Sequence, residues 1–225
     1  MKKIISSSFT SLLLALFIIS SCQSSKTAIT SDNSKEMSYV SQIKLFQEEM
    51  NISYKDSKES PLEASKRKKF KSLPFFKIDE SYKVEADFVR TTEGKPFAMQ
   101  TTTDRKPIYQ KFGEVSFELH GKRHTLNVYQ SENLTQQEEY KDYLFLPFTD
   151  LSNGQESYYG GRYIDLKIPE REAADGQELD KITIDFNKAY NPYCAYNKKY
   201  SCPIPPKENH LDVKVLAGVS YENHD

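Results

Sequence analysis

The sequence predicts a mainly β protein: a single antiparallel β-sandwich or barrel of about eight strands, with one N-terminal amphipathic helix. Three observations carry that expectation. From residue 82 onward, short runs alternate apolar and polar residues with period two, the pattern of strands that bury one face. Near the N-terminal end a single run spaces its apolar residues as a helix does. Finally, 13 Phe and 15 Tyr in 225 residues supply bulk for a real core, although mean hydropathy is only −0.69. Wholesale disorder is thereby excluded, because disordered chains lack aromatics. The length fits one domain of ordinary size. With 31 Lys and Arg against 32 Asp and Glu, net −1, the chain lacks the basic excess of a nucleic-acid binder, and no nucleic-acid partner is expected.

Residues 1–21 read as a lipoprotein signal peptide. Lys2 and Lys3 form a positive start, and Phe9 to Ile19 an apolar stretch, well short of the ~20 residues that span a bilayer. Ile19-Ser20-Ser21-Cys22 has the order of a bacterial lipobox, an aliphatic residue and two small ones before a cysteine. Such signals lead to cleavage before the cysteine and acylation of it; the other reading is an ordinary secretory signal with an incidental Cys22. Two or three acyl chains hold a protein on a membrane where one does so only marginally. The expected partner is therefore a membrane, reached through a palmitate-type anchor on Cys22. Gln23, rather than an Asp, follows the cysteine. The expected location is the cell envelope, on the outer membrane and facing the periplasm. Residues 22–35 are the lipidated cysteine and a polar, aperiodic stretch suited to a flexible tether. Residues 36–225 form the β-rich domain.

The helix is predicted from Met37 to Met50, where Val40, Ile43, Phe46 and Met50 recur at helical spacing. The basic run Lys66-Arg67-Lys68-Lys69 that follows reads as a solvated face, or as a contact for anionic headgroups. Strands come next. Tyr82, Val84, Ala86 and Phe88 alternate with charged residues, and Val115, Phe117 and Leu119 with polar ones. The same holds for Ile182, Ile184 and Phe186, and for Leu211, Val213 and Val215. Phe97–Thr103, Arg123–Gln130, Tyr143–Phe148 and Arg162–Ile168 complete the count. His120-Gly121 joins two of these runs as a hairpin turn.

The C-terminal third is the unusual part: Gly160-Gly161-Arg162-Tyr163-Ile164-Asp165-Leu166, then the run from Asp185 to Asn209, DFNKAYNPYCAYNKKYSCPIPPKEN, and Ala217-Gly218 near the end. These segments resemble the domain-of-unknown-function family 1684, whose members read GGRYLDL, DFNxAYNPYCAYNxxYSCPLPPxEN and a terminal AG. Phe112–Phe117 and Leu144–Asp150 resemble it too, so the likeness extends over most of residues 37–220. It implies no activity, and the side chains are weighed on their own chemistry.

Arg162 shares its strand face with Ile164, Leu166 and Ile168, the apolar one. A guanidinium there needs a carboxylate or a bound anion, and Asp150, Asp185 and Glu208 are the partners on offer. Either the pair fixes the C-terminal loop, or Arg162 clamps an anionic ligand with its planar fork. In an exported protein Cys194 and Cys202 most simply form a disulfide, with free or redox-active thiols and a metal site as the other readings. The bridged loop is stiffened by prolines and dense in amides and phenols. It suits a preformed binding surface, or a segment that satisfies its own backbone. The ligand-binding candidates are Arg162, Asp185, Asn187, Tyr190, Asn191, Glu208 and Asn209. The catalytic candidates are Asp185 and Glu208, with Asp165 as a further carboxylate for acid/base work. His120 and His124 flank the hairpin turn and read as inert. No metal site is expected, because the four histidines are scattered. No P-loop, dinucleotide fingerprint, G-x-S-x-G or H-E-x-x-H is present, and no cofactor is expected. The sequence thus points to a lipid-anchored envelope protein binding a small anionic or sugar-like ligand, or an envelope partner. A hydrolase on an envelope or dietary polymer and a purely structural lipoprotein are the alternatives.

Overall fold

The alternating runs pair into one eight-stranded, curled sheet, a half-barrel. The structure, a computed structural model, describes residues 37–92, 94–169 and 180–221; the signal segment, Cys22 and the tether lie outside them. Helices α1 (Tyr39–Lys55) and α2 (Ala64–Lys69) precede strands β1 (Lys83–Arg90), β2 (Phe97–Ala98), β3 (Ile108–Leu119) and β4 (Lys122–Ser131). Strands β5 (Tyr143–Asp150), β6 (Arg162–Lys167), β7 (Asp180–Asp185) and β8 (His210–Leu211) follow. The order is β6-β5-β4-β3-β1-β7, with β2 added on β3 and β8 on β5. All pairings are antiparallel except the short β5–β8 contact. Curling brings the edge strands β6 and β7 to within 8 Å between Cα atoms, so the realised architecture lies toward the barrel.

Local chemistry explains the elements. The Ser38 hydroxyl accepts from the Ser41 N–H at 3.3 Å and starts α1, satisfying one of the orphan donors of the first turn. Ile43 and Tyr54 face inward, whereas Val40 is 47% exposed and takes no part in the buried face. His120 (φ 51°) and Gly121 (φ 75°) both lie in the left-handed region, the two-residue turn whose twist matches its strands. Two strands stop earlier than their alternation suggests. Beyond Ala98, the Thr101 hydroxyl bonds the carbonyls of Thr103 and Arg105 and curls the backbone away. Beyond Leu211, Val215 N–H donates to the Asp150 carboxylate at 3.1 Å instead of to a strand.

The main core lies on the concave face, where Leu144, Leu146 and Phe148 of β5 meet Ile164, Leu166, Val115, Phe117 and Phe186. A second buried cluster occupies the convex face: Met99, Tyr109, Tyr129, Phe145 and Tyr163. Strands β5 and β6 are therefore covered on both faces. The convex cover comes from segments pinned to each other, with Thr102 N–H donating to Cys202 O at 2.9 Å and Ile204 N–H to Gln100 O at 2.8 Å. Tyr190 adds a bridge to Tyr163, N–H to O in both directions at 2.9 and 3.0 Å.

Candidate functional site

Four of the seven ligand-binding candidates act as internal stitches. Arg162 is fully buried. Its Nη2 donates to Asp150 Oδ2 at 2.9 Å and to Val215 O at 2.7 Å, and its Nη1 to Ala217 O at 2.6 Å. Asp150 in turn accepts from the N–H groups of Ser152 and Val215. Both charges are thus paired inside the core, and the C-terminal segment is tied down by them. Gly161 (φ 85°) and Gly218 (φ 77°) flank this knot. A Cβ at Gly218 would lie 2.4 Å from Ala189 O, and one at Gly161 2.6 Å from Phe148 O, so only glycine fits either place.

The asparagines pair with main-chain groups of distant segments. Asn209 lies between β4 and β5, where Pro147 can offer no N–H. Its Nδ2 donates to Pro147 O (2.7 Å) and Asn127 O (2.8 Å), and its Oδ1 accepts from Asn127 N–H. Asn187 does the same for Asp79, accepting at 3.1 Å and donating at 2.8 Å. Asn191 ties Ser220 O and the Tyr196 hydroxyl, both at 3.3 Å.

Asp185 and Glu208 are not brought together. Asp185 is buried at the end of β7, accepting from the Tyr39 hydroxyl and the Asn187 N–H at 3.0 Å each. Exposed Glu208 reaches the Tyr129 hydroxyl on β4 at 3.5 Å. Three strand spacings, roughly 14 Å along the sheet, separate β4 from β7. Nor does Arg162 pair with either; its partner is Asp150. Cys194 and Cys202 are thiols in this structure rather than the expected bridge. They are adjacent, the Cys194 N–H donating to Cys202 Sγ at 3.1 Å. The Cys202 thiol holds that of Cys194 down, to about 7, and is itself pushed up by the same bond and by burial. Among the described residues no group of three or more His, Cys, Asp or Glu is gathered as metal ligands.

Tyr190, by contrast, lines a ligand-sized cavity, a cleft of about 500 Å³ on the convex face. Tyr109, Tyr143, Phe145, Tyr163 and Asp165 of the sheet form its floor, Phe46 and Met50 of α1 one wall, and Tyr190, Tyr193, Tyr200 and Cys202 the other. The rings meet at steep angles: Phe145 and Tyr163 at 72° and 4.8 Å, Tyr163 and Tyr190 at 90° and 5.8 Å. Asp165 Oδ1 accepts from the hydroxyls of Tyr143 (2.7 Å) and Tyr190 (2.6 Å). Burial, then the Asp165 charge, pushes both phenols well above their ordinary range, so they remain neutral donors. The Tyr163 hydroxyl donates to Pro203 O. Lys188 stands at the rim, its Nζ 6.0 Å from the Phe46 ring centroid. A sequence signal for this cleft exists. β5 reads Tyr-Leu-Phe-Leu-Pro-Phe, with no polar phase, which marks a strand covered on both faces.

Fold and cleft define a β half-barrel that carries an aromatic pocket of ligand size on its outer face. The family model described as "protein of unknown function (DUF1684)" matches residues 68–220, and the chain belongs to that family. It is 32% identical to an uncharacterized protein of Haloarcula marismortui, known from a solution NMR structure, with a TM-score of 0.63. That likeness covers 83% of this chain and 96% of the other. No curated protein matches the chain.

Proposed function

We propose that this protein is a lipid-anchored binding protein of the cell envelope that holds a small organic ligand in the convex aromatic cleft. The observation that supports the binding reading is the cleft itself, a largely apolar cavity with a single carboxylate at its floor, in the size range of small-molecule sites. Arg162 takes no part as an anion clamp, since its terminal nitrogens are committed to Asp150 and backbone carbonyls. The envelope reading rests on the lipobox order at Cys22. Among the described residues no helix is long and apolar enough to cross a membrane.

A thermal-shift screen of the protein against amines, sugars, cell-wall fragments and carboxylates tests the binding reading. At about 100 times its dissociation constant a ligand adds roughly 2.7 kcal/mol. That stabilisation is expected to weaken or vanish in Asp165→Asn and Tyr193→Ala, two changes at exposed positions. A ligand that stabilises both variants as it does the wild type would place the site elsewhere. For the anchor, labelling cells with a palmitate analogue is expected to mark the wild-type protein and not Cys22→Ser. Equal labelling of the two would remove Cys22 from the account.

A further inference from the structure

The polar groups of the cleft decide which ligand it fits. The Tyr143 and Tyr190 hydroxyls are spent on Asp165 Oδ1, and that of Tyr163 on Pro203 O. The Ser201 hydroxyl donates to that of Thr101 at 2.9 Å. A polyhydroxylated ligand needs many partners, and each buried hydroxyl left without one is costly; this cleft offers few. An anion would meet the Asp165 carboxylate and, at the rim, one exposed ammonium. A cation is served better. Asp165 carries the charge, with no donor among the described residues on its Oδ2. Around it stand steeply angled rings, whose faces are the negative part of their quadrupole. Phenols that donate to a carboxylate turn their hydrogens toward it, leaving ring faces and oxygen lone pairs for the ligand. The wall already accepts one ammonium, that of Lys188 over Phe46.

We infer, building on the binding reading above, that the cleft takes an organic cation of the alkylammonium class, its charge facing Asp165 and its alkyl groups held against Tyr143, Tyr163 and Tyr190. Such a group asks for a charge and an apolar shell and for few hydrogen bonds, which matches what the cleft supplies.

Isothermal titration of the full chain in a polyoxyethylene detergent, with choline and its neutral carbon isostere 3,3-dimethyl-1-butanol, tests this. The two probes share a shape and differ in charge. Choline is expected to bind at least about tenfold more tightly than the isostere. Asp165→Asn keeps an acceptor for both tyrosines and removes the charge, and is expected to abolish that difference while the circular dichroism spectrum stays unchanged. Equal binding of the two probes, or tighter binding of glucose, would overturn the cation assignment and leave the cleft as the binding site. Choline binding undiminished in both Asp165→Asn and Tyr193→Ala would remove the cleft itself. Absence of binding by choline would overturn the assignment, the binding reading then resting on the broader screen.

Discussion

Replacing Arg162 by Met would leave the Asp150 carboxylate buried without its partner and strip donors from the carbonyls of Val215 and Ala217. Breaking a buried pair from one side costs about 3–5 kcal/mol, a large part of the stability of an ordinary domain. Urea denaturation of Arg162→Met is expected to show a loss of that order. Arg162→Met combined with Asp150→Leu is expected to lose less than the sum of the single changes, because the orphaned charge is gone. A fully additive pair, or a loss below about 1 kcal/mol, would contradict the structural role. The sequence places Arg162 on the apolar face of its strand, and the structure finds it there. What period-two reasoning leaves open is which of Asp150, Asp185 and Glu208 lies within reach. Asp150 is the one because β5 and β6 pair with Phe148 opposite Arg162, a register that only the folded sheet defines. The asparagines carry the same lesson. Asn187 and Asn209 look like ligand donors in sequence because an amide that serves a sheet and one that serves a ligand are chemically alike.

At the level of elements, the hairpin at His120-Gly121 and most strands were legible, because alternation and turn chemistry are local. Two strands, β2 and β8, are each only two residues long, since side-chain hydrogen bonds from Thr101 and to Asp150 take the place of the ladder. The cleft was only partly legible. Tyr190 was marked by the density of polar groups around it, and Asp165 as a spare carboxylate. Tyr109, Tyr143, Phe145 and Tyr163 escaped because aromatic residues on strands read as core, and the convex cluster is indeed mostly buried. A cleft is left where the 190–203 loop, arching over from β7, meets α1 only in part, Tyr193 and Tyr196 packing on Tyr54 while Phe46 and Met50 line open space. The cysteines sit in that loop. Cys202 faces the cleft and Cys194 a neighbouring one, so the stretch between them carries Tyr200 as cleft wall.

At the scale of the whole molecule, one sheet does two jobs on its two faces. The concave face, filled by aliphatic and phenylalanine side chains and closed by the Arg162–Asp150 pair, holds the fold. The convex face, built of tyrosines around Asp165, carries the cleft proposed above to take a ligand. The most direct measurement of this division is fluorine NMR of the protein labelled with 3-fluorotyrosine, titrated with the strongest ligand from the thermal screen. Shifts are expected to be confined to the resonances of the tyrosines that line the cleft, Tyr54, Tyr109, Tyr143, Tyr163, Tyr190, Tyr193 and Tyr200, with that of Tyr82 on the concave side unmoved. Shifts at Tyr82 with the cleft tyrosines silent would place the ligand on the other face and contradict the account.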